Sequence, residues 1–143
     1  MEKTAPKFYD IDHPIRTFVT KRVIGVEPET TVQEAAKRMV EFNISSLTVV
    51  SDDEIIGFFT DGDIKKKVVA AGLTPDIPVK KIMTTDLITA DIDMTVKDVL
   101  ELMADKNIKH MLVEENGEIV GILTFGDLID VQKQKLETYI SRE

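Results

Sequence analysis

The sequence repeats itself. Displaced by 64 positions and without a gap, residues 14–66 align with residues 78–130. The pairs include Pro14 with Pro78, Thr20 with Thr84, Thr31 with Thr95, Met39 with Met103, Asn43 with Asn107, Gly57 with Gly121, Thr60 with Thr124, Gly62 with Gly126 and Asp63 with Asp127. Self-similarity at a fixed period means one supersecondary unit used twice, so a single large core is the wrong expectation. Copies of about 50–60 residues are marginal folding units on their own. They are therefore expected to pack against each other through apolar sheet faces.

Each copy has the same local grammar. Val23 to Val26 and Leu87 to Ala90 read as short extended pieces, each followed by a turn. Val32, Ala35, Ala36, Met39 and Val40 then recur at helical spacing, as do Val96, Val99, Leu100 and Met103. Thr30 or Thr31 is placed to cap the first of these helices, with Glu34 as the capping-box partner of Thr31; Thr95 with Asp98 is a less ideal version. Leu47 to Val50 and Ile55 to Phe59 read as a hairpin across Asp52-Asp53. Met111 to Val113 and Ile119 to Leu123 read as another across Asn116-Gly117, the stronger type I′ signal. A second helix starts after Thr60-Asp61-Gly62-Asp63 and after Thr124-Phe125-Gly126-Asp127, reaching about Ala71 in the first copy and running toward Tyr139 in the second. The expected fold is α/β (α+β), two tandem β-α-β-β-α units related by a pseudo-twofold axis. The boundaries are an N-terminal arm over 1–13, a first unit over 14–72, a linker over 73–77, a second unit over 78–131 and a helical tail over 132–143, whose Leu136, Tyr139 and Ile140 form an apolar stripe.

Composition narrows the chemistry. The 143 residues carry 18 Lys and Arg against 26 Asp and Glu, a net charge of −8, which disfavours binding to nucleic acid. No stretch approaches the roughly 20 apolar residues of a bilayer-spanning helix, and residues 1–12 have no apolar signal core. No membrane association is expected, and the cytoplasm is the expected location. There is no cysteine, and His13 and His110 are the only histidines, so no disulfide, thiol nucleophile or His/Cys metal site is expected. No Ser/His/Asp nucleophile elbow, His-Glu-x-x-His or Walker loop occurs, and the chain is not expected to be an enzyme.

The residues Gly57-Phe58-Phe59-Thr60-Asp61-Gly62-Asp63-Ile64 and Gly121-Ile122-Leu123-Thr124-Phe125-Gly126-Asp127-Leu128, with Val79 to Thr84 and Asn107 to Val113, resemble a tandem pair of cystathionine beta-synthase (CBS) domains, a Bateman module. The resemblance covers roughly residues 14–130. It implies a regulatory, ligand-sensing module that binds an adenine nucleotide or adenosyl compound between the two units and passes a conformational signal to a partner. The family's threonine and aspartate lie near ribose and phosphate, which makes Thr60 with Asp63 and Thr124 with Asp127 the ligand-binding candidates. A carboxylate accepts well from a cis diol but repels phosphate, so basic groups must offset it.

The candidates for that role are Lys65, Lys66, Lys21 and Arg22 in the first copy and Lys109 and His110 in the second, where Ile129-Asp130 replaces Lys65-Lys66. Base-side candidates are Ile24, Val26, Ser46, Ile88, Ala90 and Met111. Plainer roles stand beside these: helix capping for the aspartates, turn bonding for the threonines, core packing for the methionines, a solvated helix face for Lys65 to Lys67. The resemblance implies no required cofactor, with AMP, ADP, ATP and S-adenosylmethionine as candidate ligands. It implies a homodimer through Val68, Val69, Leu128 and Val131, and a regulated protein or domain elsewhere, or a longer chain of which this is a part. The alternative is a constitutive dimerisation or interaction scaffold without a ligand.

Overall fold

The computed structural model describes residues 11–129. The tail over 132–143, Val131 and most of the 1–13 arm lie outside the described residues. The chain forms two compact units. The first is Arg22–Ile88; the second joins the residues up to Lys21 to those from Thr89 onward.

In the first unit β1 (Gly25–Val26), α1 (Val32–Phe42), β2 (Ser46–Ser51) and β3 (Glu54–Thr60) build a three-stranded sheet of order β1-β2-β3. β1 pairs parallel with β2 through α1, and β2 antiparallel with β3 through the Asp52-Asp53 turn. Both turn residues take positive φ, 51° and 62°, which aspartate tolerates better than most side chains. α2 (Asp61–Ile64) follows β3 directly and continues as a π turn, Lys65–Val69, closed by the Ala70 N–H donating to the Lys65 carbonyl at 2.8 Å. Val32, Ala35, Met39, Leu47, Val49, Phe59, Val68, Val79 and Ile82 form the core of this unit.

The second unit repeats the plan with β4 (Thr89–Asp91), α3 (Val96–Lys106), β5 (His110–Glu115), β6 (Glu118–Thr124) and a helix, α4, over 125–129, in sheet order β4-β5-β6. Its hairpin turns at Asn116 and Gly117, with φ of 55° and 83°. Ile15, Ala90, Ile92, Val96, Val99, Met103, Met111, Leu112, Val113, Leu123 and Leu128 are its buried apolar residues among the described residues. The β-α-β-β-α plan is thus present twice.

The two compact units do not follow the repeat. The stretch ahead of β1, with its 3-10 helix Ile15–Phe18, packs in the β4-β5-β6 unit, and the stretch ahead of β4, with the 3-10 helix Val79–Lys81, packs in the β1-β2-β3 unit. Corresponding bonds hold both. The Val32 and Gln33 amides at the start of α1 donate to the carbonyls of Ile77 and Pro75, each at 2.9 Å; the Val96 and Lys97 amides of α3 donate to His13 and Ile11, also at 2.9 Å. These are amides that a helix leaves unpaired at its N-terminus. Farther along, Thr84 exchanges both backbone bonds with Phe58 (2.8 and 3.0 Å), and Thr20 does so with Ile122 (3.0 and 2.9 Å). Ion pairs are matched too: Lys80 meets Glu29 at 2.7 Å, and Arg16 meets Asp93 at 3.1 Å and Glu115 at 3.1 Å. Hydrogen bonds to Asp93, then to Glu115, hold the Arg16 guanidinium pKa above its ordinary value, so it stays cationic.

The helix caps correct the sequence expectation. Thr95 and Asp98 make the complete capping box, each side chain accepting from the other's backbone N–H at 3.2 Å. Thr31 accepts from the Glu34 N–H at 3.1 Å, but Glu34 accepts from the Thr31 hydroxyl at 2.9 Å rather than from its amide. The shorter aspartate reaches back to the cap amide; the longer glutamate folds onto the hydroxyl. At their other ends both helices stop on a left-handed asparagine, Asn43 and Asn107, each with φ 54°.

Candidate functional site

Thr60 ends β3 in extended geometry and is at once the N-cap of α2. The Thr60 N–H donates to Asp63 Oδ2 at 2.9 Å, and the Asp63 N–H donates to Thr60 Oγ1 at 3.3 Å. The second unit builds the same clamp: Thr124 N–H to Asp127 Oδ2 at 2.9 Å and Asp127 N–H to Thr124 Oγ1 at 3.1 Å. Each aspartate therefore does act as a cap. One oxygen is held by the backbone, which fixes the carboxylate and leaves the other outside these cap bonds. All four side chains are half-buried, a setting in which a carboxylate is oriented yet reachable.

The neighbours of the two clamps differ. Ser46 stands across the sheet from Thr60, and His110 across from Thr124. The first helix amide after each threonine is already used, Asp61 N–H by the Ser45 carbonyl (2.9 Å) and Phe125 N–H by the Lys109 carbonyl (2.8 Å). With the cap bond to each aspartate amide, two of the first three amides after each threonine are occupied.

The basic residues are placed less simply than the sequence suggested. Lys65 and Lys66 point into solvent with no protein partner among the described residues, while Lys67 brings its ammonium 3.4 Å from Asp63 Oδ1 and 3.0 Å from the Ile82 carbonyl. Sequence reasoning left Lys67 within a generic lysine run; the signal that singles it out is its i, i+4 spacing from Asp63. Arg22 lies over the Phe42 ring, 4.9 Å from its centroid, in a cation–π contact. Lys21 and Lys109 are exposed, and Lys21 falls in the second unit while Arg22 falls in the first.

Among the base-side candidates, Ser46, Val26, Ala90 and Met111 are buried, the last two at 0% and 1% exposure, while Ile24 and Ile88 are half-buried. The Ile24 carbonyl accepts from both the N–H and the hydroxyl of Thr48, each at 3.2 Å. In the first unit a groove of about 820 Å3 opens among Gly25, Val26, Glu34, Arg38, Val50 and Asp52. It sits at the hairpin end of β2, whereas Thr60 faces Ser46 at the opposite end, so this groove is not the clamp. Among the described residues no cluster of three or more His, Cys, Asp or Glu side chains is arranged to hold a metal. No described helix is long and apolar enough to cross a membrane.

Comparison with known proteins converges on one family. The CBS domain model matches residues 15–70 and again 79–134. The chain is 32% identical over 114 residues to the CBS domain-containing protein YhcV of Bacillus subtilis, covering 80% of this chain and 81% of YhcV. An uncharacterized conserved protein of Pyrococcus horikoshii shares 47% identity, with a TM-score of 0.83 over 87% of this chain and 96% of that one. The CBS domain pair of protein MJ0100, solved in complex with 5-methylthioadenosine and S-adenosyl-L-methionine, superposes with a TM-score of 0.73 at 27% identity, over 85% of this chain and 97% of that one. CBS pairs are regulatory modules rather than catalysts, and as a class bind adenosyl ligands. With the fold, the doubled clamp and the doubled family match in agreement, the chain belongs to the CBS domain family as a tandem pair, a Bateman module.

Proposed function

We infer that this chain is a sensor of adenosyl compounds, in which the Thr60/Asp63 and Thr124/Asp127 clamps hold ribose and the signal passes to a partner protein or domain. The observation that carries this reading is the twice-built clamp, in which a backbone N–H orients each carboxylate and leaves an oxygen for a vicinal diol. The adenosyl ligands of the MJ0100 pair support the ligand class. AMP, ADP, ATP and S-adenosylmethionine are the candidates, with Lys21, Arg22, Lys65, Lys66, Lys109 and His110 as the phosphate-side candidates by chain position. A ligand that signals must bind one conformation of the module more tightly than another.

Isothermal titration calorimetry of the chain, stripped of bound small molecules, against AMP, ATP and S-adenosylmethionine tests the reading. A micromolar isotherm with one or two sites is expected. Asp63→Asn and Asp127→Asn keep an oxygen for capping but remove the charge, and each should weaken its own site about 10–100-fold, the worth of a charged hydrogen bond. No heat with any of the three ligands would leave the scaffold reading in its place.

The scaffold reading has its own observation. Val40, Val69 and Leu73 are 82%, 70% and 50% exposed, a large amount of apolar surface for one small unit. Val68 and Leu128, expected from the sequence at a dimer interface, are instead buried at 1% and 4%, because that side of each helix faces its own unit's core. We place the homodimer contact on Val69. Light scattering after size exclusion should give twice the chain mass at micromolar concentration, and Val69→Asp should return the monomer.

A further inference from the structure

Lys67 touches the Thr60/Asp63 clamp, and it touches something else as well. Its ammonium lies 3.4 Å from Asp63 Oδ1 and donates to the Ile82 carbonyl at 3.0 Å. Ile82 closes the 3-10 helix Val79–Lys81, and two residues later Thr84 pairs with Phe58 on β3. One cation thus ties the second carboxylate oxygen of the clamp to the segment that leads toward β4. Lys67 also stands in the π turn Lys65–Val69, and such single turns recur at functional positions in helices. Its side chain is 44% exposed, so the contact with Asp63 is solvated, weak and easily exchanged. At the matching position of the second copy the residue is Val131, which has no charge to offer.

We propose that Lys67 is a positioning residue that couples occupancy of the Thr60/Asp63 clamp to the Ile82–Thr84 segment. The coupling rests on the reading of that clamp as a ribose site. A diol that donates to Asp63 Oδ1 takes the acceptor from the ammonium, and a phosphate beside it attracts the same ammonium. Either event draws Lys67 away from the Ile82 carbonyl and loosens the segment's hold on β3. The first clamp then reports its ligand through the chain leading to β4, by a route that the Val131 copy lacks.

Amide hydrogen exchange of the full chain, followed at Thr84 with and without saturating AMP, tests this. In the wild type AMP should speed exchange at Thr84 about 5-fold, the scale of a local opening rather than global unfolding. Lys67→Met keeps the aliphatic stem and removes the charge; it should show the faster exchange without AMP and no further change with it. Lys67→Arg should restore slow exchange and the response, which a loss of packing alone would not predict. Lys67→Gln serves the same purpose as Lys67→Met if the latter does not fold. Unchanged exchange at Thr84 in the ligand-free Lys67→Met chain would overturn the anchoring role. AMP binding by calorimetry with no change at Thr84 would overturn the coupling while leaving the clamp intact. Absence of an isotherm with AMP, ATP and S-adenosylmethionine alike in the wild type would overturn the ribose reading and the coupling with it, and the ligand-free comparison distinguishes that failure from loss of the anchor.

Discussion

Gly121→Ala is expected to cost about 2–3 kcal/mol of stability, the range of an overpacked core, and Gly57→Ala about 1 kcal/mol or less. The two glycines are repeat partners on β6 and β3, and neither has positive φ, so the difference is one of space. A Cβ on Gly121 would sit 2.6 Å from the Thr20 carbonyl oxygen, a backbone atom that already accepts from the Ile122 N–H at 2.9 Å. Relief requires moving the 11–21 segment and lengthening both Thr20–Ile122 bonds. A Cβ on Gly57 would meet the Met83 side chain instead, with Cγ at 2.9 Å. An unbranched thioether can turn aside. Urea unfolding followed by circular dichroism measures both variants; equal losses would mean that the backbone at Thr20 yields as readily as the Met83 side chain.

Phe59→Ala should have the largest effect of any single change in the first unit, about 3–5 kcal/mol by the usual cost of emptying an aromatic core site. Phe59 is 0% exposed and pairs with Leu47, itself 1% exposed, in the centre of the core that also holds Val49 and Val68. It immediately precedes Thr60, so loss of its packing loosens the strand end that supplies the clamp. Thermal unfolding should fall well below that of the wild type, and calorimetry should show the first site lost even at temperatures where helix content persists. Leu123→Ala at the repeat position leaves a smaller hole, and its cost should lie at the lower end of the Leu→Ala range, about 2–3 kcal/mol.

Much of the architecture was legible in the residues because it is local. Apolar spacing along Val32 to Met39 and Val96 to Met103 gave both long helices, and Asn116-Gly117 gave its hairpin with the turn geometry such a pair favours. The clamps were legible because the same four-residue pattern recurs after each strand. What was not legible depends on partners distant in sequence. Residues 14–21 and 78–85 resemble one another, so a 64-position self-match looks the same whether each stretch packs on its own copy or on the other. The i, i+4 spacing that ties Lys67 to Asp63 was present in the sequence but was passed over within the run Lys65 to Lys67, and the structure separates it from its neighbours. Helical periodicity also left open which side of the second helix faces the core, and Val68 and Leu128 turned inward.

The carbonyls of Ile77 and Pro75 on α1, and of His13 and Ile11 on α3, have a bearing on how this chain could be divided. What was duplicated and what folds are out of phase. A cut at the proline-bearing linker would sever α1 from the carbonyls that complete its first turn, whereas the uninterrupted stretch Arg22–Ile88 carries every element of its unit with it. The other unit has no such stretch. Its two pieces lie on either side of the first unit in the sequence, so it closes only after the intervening residues have been made, and synthesis on the ribosome completes the inner unit before the outer one.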